Sequence, residues 1–378
     1  MALREPSFTF GIEEEYLLVD TTTRQLVSAP QPLLAQLEAA LPDQISVELM
    51  RSQIEVGTRP TTSFAEARAD LANLRRTVAK LAAEHGLAPI AASSHPIGGY
   101  RSQETTQNER YAALAADLAG VGRRLVVSGM HVHVGIEDDE LRIDLLNQAK
   151  YFLPHLLTLS TSSPFWEGED TGLKSFRLAI FKGLPRTGLP GHLSGWHDYR
   201  QIADVLTRSG VIDGPSKIWW DLRPSDKFPT LEMRLTDVCT RLDDAMTVAA
   251  FFVCICRMLY RLRCNNQSWR EYPVVLLDEN RWRAQRYGVS GSLFDYGRGI
   301  LVPFAELAEE LVACTAEDSA ALGCQNDIAN VRKIVAEGTS ADHQLAVYND
   351  ALASDPVQSA ALCAVVDSLI ATTLPSGQ

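Results

Sequence analysis

The chain has 378 residues, 46% of them hydrophobic and 22% charged, enough to bury a large core in one elaborate domain or two ordinary ones. Its 47 Asp and Glu outnumber 35 Lys and Arg, and the net charge of −12 excludes an extended surface for nucleic-acid backbones, which takes clustered basic residues. An acidic balance still suits a phosphate-bearing small ligand, held through divalent cations that carboxylates bind.

Residues 7–20 (SFTFGIEEEYLLVD) mix apolar and acidic residues in the manner of a strand and end in a polar turn. Residues 45–58 (ISVELMRSQIEVGT) predict two short strands joined at Arg51-Ser52, and a tight turn there sets Glu48 opposite Glu55 on one face. A helix follows: Ser63 and Glu66 form a capping signature, Phe64, Ala67, Leu71, Leu74, Val78 and Leu81 recur at helical spacing, and Gly86 ends it. Next come a helix over 104–119, a strand over 125–136 and a helical stretch from 140 that Pro154 kinks.

Residues 164–195 are rich in Gly and Pro and lack periodicity; with their aromatic and apolar side chains they predict a lid or binding loop. Strands resume at 217–222 and 230–236. An apolar helix over 243–263 contains a run too short to span a bilayer and predicts a buried core helix. The remainder, 280–370, is mostly helical. The seven cysteines contain no C-x-x-C pair, which predicts reduced, mostly buried thiols in a cytoplasmic protein, and MALREPSFTF has no signal-peptide core. No composition break marks a linker, so residues 1–378 read as one domain. Strands mixed with helices, without regular βαβ alternation, give an α+β class around a largely antiparallel sheet.

Side chains two apart on a strand share a face, roughly 7 Å from each other. Glu13 and Glu15 in GIEEEYLL, His131 and His133 in SGMHVHVG, and Glu232 and Arg234 in PTLEMRLTD all have that spacing. Each pair has an ordinary explanation: alternation on an exposed strand, imidazoles satisfied by backbone carbonyls, or a cross-strand ion pair. Together with Glu48 and Glu55 they form a coherent ligand set. Carboxylates and a histidine without thiolates suit Mg²⁺ or Mn²⁺, and nearby arginine suits an anion that those ions also touch.

The segments GIEEEYLLV, SQIEVGT, SSHPIGGYR, NERY, SGMHVHVGI, WDLRPS, TLEMRLTD and NRWRAQRYG, in this order, resemble the carboxylate–amine ligase branch of the type 2 glutamate–cysteine ligase family. The resemblance implies a glutamine-synthetase-like catalytic domain, a funnel floored by a curved antiparallel sheet with helices outside. It implies two or three Mg²⁺ or Mn²⁺ ions, one held by Glu15, Glu48 and Glu55 and another by Glu13, His131 and Glu232. His133, Arg223, Arg234 and, on the helical stretch, Arg286 would meet the nucleotide, ATP. Arg223 and Arg234, with Glu55, would carry catalysis. The implied reaction activates a glutamate-like carboxylate as an acyl phosphate and passes it to an amine, cysteine being the family's namesake acceptor. Arg110, His95, Ser175 and Arg177, with Asp170 and Thr171, are candidates for substrate contacts, against the alternative of loop-stabilising hydrogen bonds. Small-molecule substrates and a homodimer are expected, with neither nucleic acid nor membrane as partner. A metal-dependent amide hydrolase and a non-catalytic nucleotide-binding homologue are the competing readings.

Overall fold

A computed structural model of the chain describes residues 4–106 and 109–374, without the side chains of 109–115. FGIEEEYLLVD forms strand β1 (Phe10–Asp20). Its even-numbered residues Phe10, Ile12, Glu14 and Tyr16 are buried on one face, while Gly11, Glu13 and Glu15 look out of the other. The strand is central to a seven-stranded sheet with β2 (Ile45–Val47), β3 (Gln53–Gly57), β4 (Leu87–Ile90), β5 (Met130–Gly135), β6 (Leu222–Pro224) and β7 (Thr230–Met233). The order is β6-β7-β5-β1-β3-β2, and β4 pairs with β1 beyond the end of β5. Every pairing is antiparallel.

The even-numbered face is closed by the helices Phe64–Ala83 and Leu242–Cys264, which share one apolar core with Ile12, Ile54, Val132 and Met233. Leu71, Leu74 and Val78 of the first helix are fully buried, each stabilising the fold by about 1.5–3 kcal/mol. Ser63 caps this helix by accepting a hydrogen bond from Glu66 N, as its signature predicts. On the odd-numbered face, Leu17 and Val19 are covered by Leu362, Val365 and Leu369 of the C-terminal helix Gln358–Thr373. The half of that face carrying Glu13 and Glu15 is left open as the floor of a cavity.

Four expectations need correction. The chain does reverse at Arg51-Ser52, where Gln53 N donates to Met50 O, but Ser46 and not Glu48 lies opposite Glu55. Leu49 and Met50 leave the arm to pair with Thr106 and Thr105, which inserts extra residues between β2 and the turn. Residues 164–195 are not a structureless lid: Phe165, Ser175, Arg177 and Leu178 are buried, and short strands and the helix Arg177–Phe181 lie within the stretch, but Phe181 and Leu184 from it do line the cavity. Pro154 does not kink a helix; it opens a second one, Leu153–Ser160, after a 3₁₀ turn at Lys150–Phe152. Finally, the 23-residue helix Leu242–Cys264 is long and apolar enough to cross a membrane, yet 78% of its most apolar window is buried inside the fold. The C-terminal part also holds a hairpin, Ser292–Asp295 with Ile300–Pro303, among its helices.

Candidate active site

Register brings the charged pairs together. Glu13 lies opposite His131, Glu15 opposite Glu55, and Glu232 opposite both His133 and Arg223. Side chains from five strands thus meet over one face of the sheet, in an open cavity of about 760 Å³. Glu13, Glu15, Glu48, Glu55, His131, His133, Arg223, Glu232 and Arg234 all line it. Glu48 reaches the cavity from the bulge after β2, where its carboxylate accepts from Leu49 N at 3.3 Å.

His131 Nδ1 lies 3.2 Å from Glu13 Oε2, and its Nε2 lies 3.8 Å from Glu15 Oε1. His133 Nδ1 contacts Thr230 Oγ1 at 3.0 Å, which aims Nε2 toward Glu13 (3.4 Å) and Glu232 (4.0 Å). Arg223 Nε and Nη2 donate to the Glu232 carboxylate at 2.8 and 3.2 Å, and Arg234 Nη1 donates to it from the other side. Two carbonyls, of Ser216 and Ile218, hold the remaining Arg223 nitrogen. Gly129 N donates to Glu15 Oε2 at 2.7 Å, and Ser46 Oγ donates to Glu55 Oε1 at 2.9 Å. Ligand atoms of Glu13, His131 and Glu232 lie within 4.8 Å of one another, as do those of Glu15, Glu55 and His131.

The electrostatics divide the cavity. Burial opposes ionisation of Glu232, but Arg234 and Arg223 hold its carboxyl far below the usual range. Burial likewise opposes ionisation of Glu13, and hydrogen bonds from His131 and His133 outweigh it. At the other end, burial and then the charge of Glu15 push Glu48 up to about 7. Burial and the charges of Glu48, Glu13 and Glu15 push Glu55 well above its ordinary value. Burial and then Arg234 lower His131, which keeps its imidazole neutral, the form that binds metal. Burial also opposes charge on His133, but Glu13 and Glu232 raise it. Among the described residues, seven carboxylates and three Arg or Lys side chains line the cavity, His133 Nε2 faces Glu13 Oε1 at 3.4 Å, and Arg234 Nε has no hydrogen-bond partner. Crowded carboxylates without counter-charge are the condition under which oxygen-loving divalent cations bind, and the thiol-free donor set fits Mg²⁺ or Mn²⁺.

The other sequence candidates lie elsewhere. His95 is buried in a turn, its Nδ1 accepting from Ile97 N and Gly98 N. Ser175 Oγ donates to the buried carboxylate of Asp237, which also holds Ser162 N and Ser163 Oγ. Arg177 sits behind the floor, donating to the carbonyls of Arg234 and Leu235 and packing on Gly129, where any Cβ would come 2.3 Å from its Nη2. Thr171 is bonded to Pro164 and Asp170 to Gly172 N. Arg286 is exposed and lies over Tyr287, away from the cavity. The side chain of Arg110 lies outside the described residues. Sequence reading missed Ser46, Gly129 and Thr230, which orient the acids and His133; of these, only Thr230, at a strand start facing Gly135, left a positional clue.

The sequence profile of glutamate–cysteine ligase family 2 matches residues 9–362, a span that takes in every cavity residue. The chain belongs to this family. A Rhodospirillum rubrum protein named "Putative glutamate–cysteine ligase 2" is 55% identical over 377 residues, 98% of this chain and 97% of that protein. A Jannaschia protein of the same name is 50% identical over 363 residues, 96% of each. Among solved structures, a glutamate–cysteine ligase from Francisella tularensis in complex with AMP superposes with a TM-score of 0.68 at 13% identity, covering 99% of this chain and 90% of that one. A bifunctional glutathione synthetase from Pasteurella multocida gives 0.69 at 16%, covering 97% of this chain and 52% of that larger one. The glutamate–cysteine ligase fold thus persists where little sequence identity does, and the α+β, glutamine-synthetase-like architecture is the one the motifs predict.

Proposed function

We propose that this family member is an ATP-dependent ligase that activates a glutamate-like carboxylate as an acyl phosphate and transfers the acyl group to an amine. The observation that carries the reading is the convergence of two carboxylate–histidine groups and two arginines on one cavity floor. Glu13, His131 and Glu232, and Glu15, Glu55 and His131 with Glu48 beside them, would hold Mg²⁺ or Mn²⁺. Such ions, when bound, neutralise phosphate oxygens and clamp the attacking and leaving groups of phosphoryl transfer.

The chain's own residues supply the rest. A carboxylate is a poor electrophile until phosphorylated, and in phosphoryl transfer the protein contributes alignment and charge neutralisation. Arg234 lines the cavity and its buried Nε has no partner among the described residues, so it offers a donor to the moving phosphoryl group. Arg223 fixes Glu232 and adds positive charge on the same side. His133, which Glu13 and Glu232 make more basic despite its burial, offers a second cationic donor to phosphate. The AMP bound by the Francisella enzyme, which shares this fold, supports nucleotide binding.

The test is incubation with ATP, Mg²⁺, L-glutamate and a panel of amines including cysteine, with ADP release followed alongside the mass of any amide. ATP-dependent amide formation that EDTA abolishes is expected. Cleavage of glutamyl amides without nucleotide would favour a hydrolase instead, and tight nucleotide binding without turnover would favour a non-catalytic homologue.

A further inference from the structure

The cavity has two unlike ends. Arg223 and Arg234 gather on Glu232 at the β6–β7 edge, with Lys227 in the loop between those strands. Past Glu15 and Glu55 the lining becomes apolar with Leu49, Leu118, Leu125 and Val127, and Phe181 and Leu184 add to this apolar lining. These side chains form one wall. Gln53, two residues from Glu55, donates to Val127 O at 2.8 Å. Val121 Cγ1 comes within 3.3 Å of a Cβ placed on Gly183, so the 118–127 segment packs on the segment that carries Phe181 and Leu184. Phe181 lies under the Arg177 guanidinium, which rests on Gly129, the residue whose N–H holds Glu15. Among the described residues, the only Arg and Lys side chains that line the cavity are Arg223, Lys227 and Arg234.

We propose, building on the ligase reading, that the acceptor is a primary amine with an apolar body, aliphatic or aromatic, seated against this wall. Phosphate and other anions belong with the arginines, which leaves the apolar side chains for the hydrocarbon of the acceptor. The wall then removes the amine's hydrocarbon from water, and its side chains offer no polar group to single out a thiol. In the transfer step the neutral amine's lone pair forms the C–N bond while the C–O bond to phosphate breaks. Phosphate leaves with that electron pair, and the nitrogen sheds one proton to water at the cavity mouth.

The full chain with ATP, Mg²⁺ and L-glutamate is assayed against hydroxylamine, glycine, cysteine, phenethylamine and the n-alkylamines from methylamine to hexylamine. Hydroxylamine is small enough to trap the acyl phosphate without using the wall. The expected result is a kcat/KM that climbs about fourfold per methylene until the wall is filled, with hexylamine or phenethylamine exceeding cysteine at least tenfold. In Leu118→Ala and Phe181→Ala, the ratio of kcat/KM for hexylamine to that for hydroxylamine should fall at least tenfold. Hydroxamate formation with a flat alkylamine series, cysteine as best acceptor, or unchanged ratios in both variants would overturn the acceptor assignment while leaving the ligase reading in place. Absence of product from every acceptor, hydroxylamine included, would overturn both.

Discussion

Glu13, Glu14 and Glu15 are three consecutive copies of one side chain, and β1 sends them to two faces with opposite electrostatic character. Glu14 is fully buried and fully matched: Arg75 Nε and Nη2 donate to its two oxygens at 2.9 and 2.6 Å, and Tyr16 Oη donates at 2.5 Å. The carbonyls of Cys239, Thr240 and Thr373 absorb the other Arg75 donors, so this ion pair has no capacity left for a ligand. Across the strand, Glu15, Glu48 and Glu55 stand together without any such cation, and burial with the surrounding carboxylates makes Glu48 and Glu55 harder to ionise. A closed network fixes the strand in place; an open one stores negative charge for something that arrives from solution.

Removing the cation from the closed face should have the largest effect. Arg75→Met leaves the Glu14 charge buried alone and should lower stability by about 3–5 kcal/mol, read from urea unfolding. The double variant with Glu14→Leu should recover most of that loss, and a single variant as stable as the parent would erase the distinction between the faces. On the open face, Arg234→Ala should slow ADP release about a hundredfold, near 3 kcal/mol of barrier, while the circular dichroism spectrum stays that of the parent. Retained activity would remove Arg234 from its assigned role. Glu55→Gln should also abolish turnover, yet raise the metal-free chain's stability by about 1 kcal/mol, since it relieves like-charge crowding at the expense of function.

The smallest effect sharpens the comparison through pH. Glu48 rises from an ordinary 4.5 to about 7 in the folded, metal-free chain, so there the folded state holds a proton that the unfolded state has lost. Stability contributed by this group is therefore present at low pH and lost as pH rises through that window. A bound divalent cation cancels the penalty, so the increase in Tm given by saturating Mg²⁺ should be slight at about pH 5 and greatest by about pH 8. An Mg²⁺ effect that shrinks as pH rises would contradict the electrostatic account of this end.

What was legible in the sequence was whatever depends on alternation. Glu13 and Glu15, His131 and His133, and Glu232 and Arg234 declare a shared face by spacing alone, and antiparallel pairing then makes them neighbours. Contacts set by distant partners were not legible. The displaced register that puts Ser46 opposite Glu55 follows from Leu49 and Met50 pairing with Thr106 and Thr105, which no feature of 45–58 announces. Residues 164–195 looked like a loop because their order comes from Asp237, 62 residues beyond Ser175, and from other buried polar bonds rather than from periodic apolar positions. Arg75 sits in the interior of an amphipathic helix, where an arginine reads as solvated; the clue was on the other strand, since alternation sends Glu14 inward and a buried carboxylate demands a cation.

His131 belongs to both ligand groups, its Nδ1 beside Glu13 and its Nε2 beside Glu15. A neutral imidazole carries a single free lone pair. An ion that takes one ring nitrogen therefore leaves the proton on the other, directed at the carboxylate of the neighbouring group. The two positions would compete for the tautomer of one side chain, so occupancy of either is felt at its neighbour, and loading would proceed in sequence instead of independently.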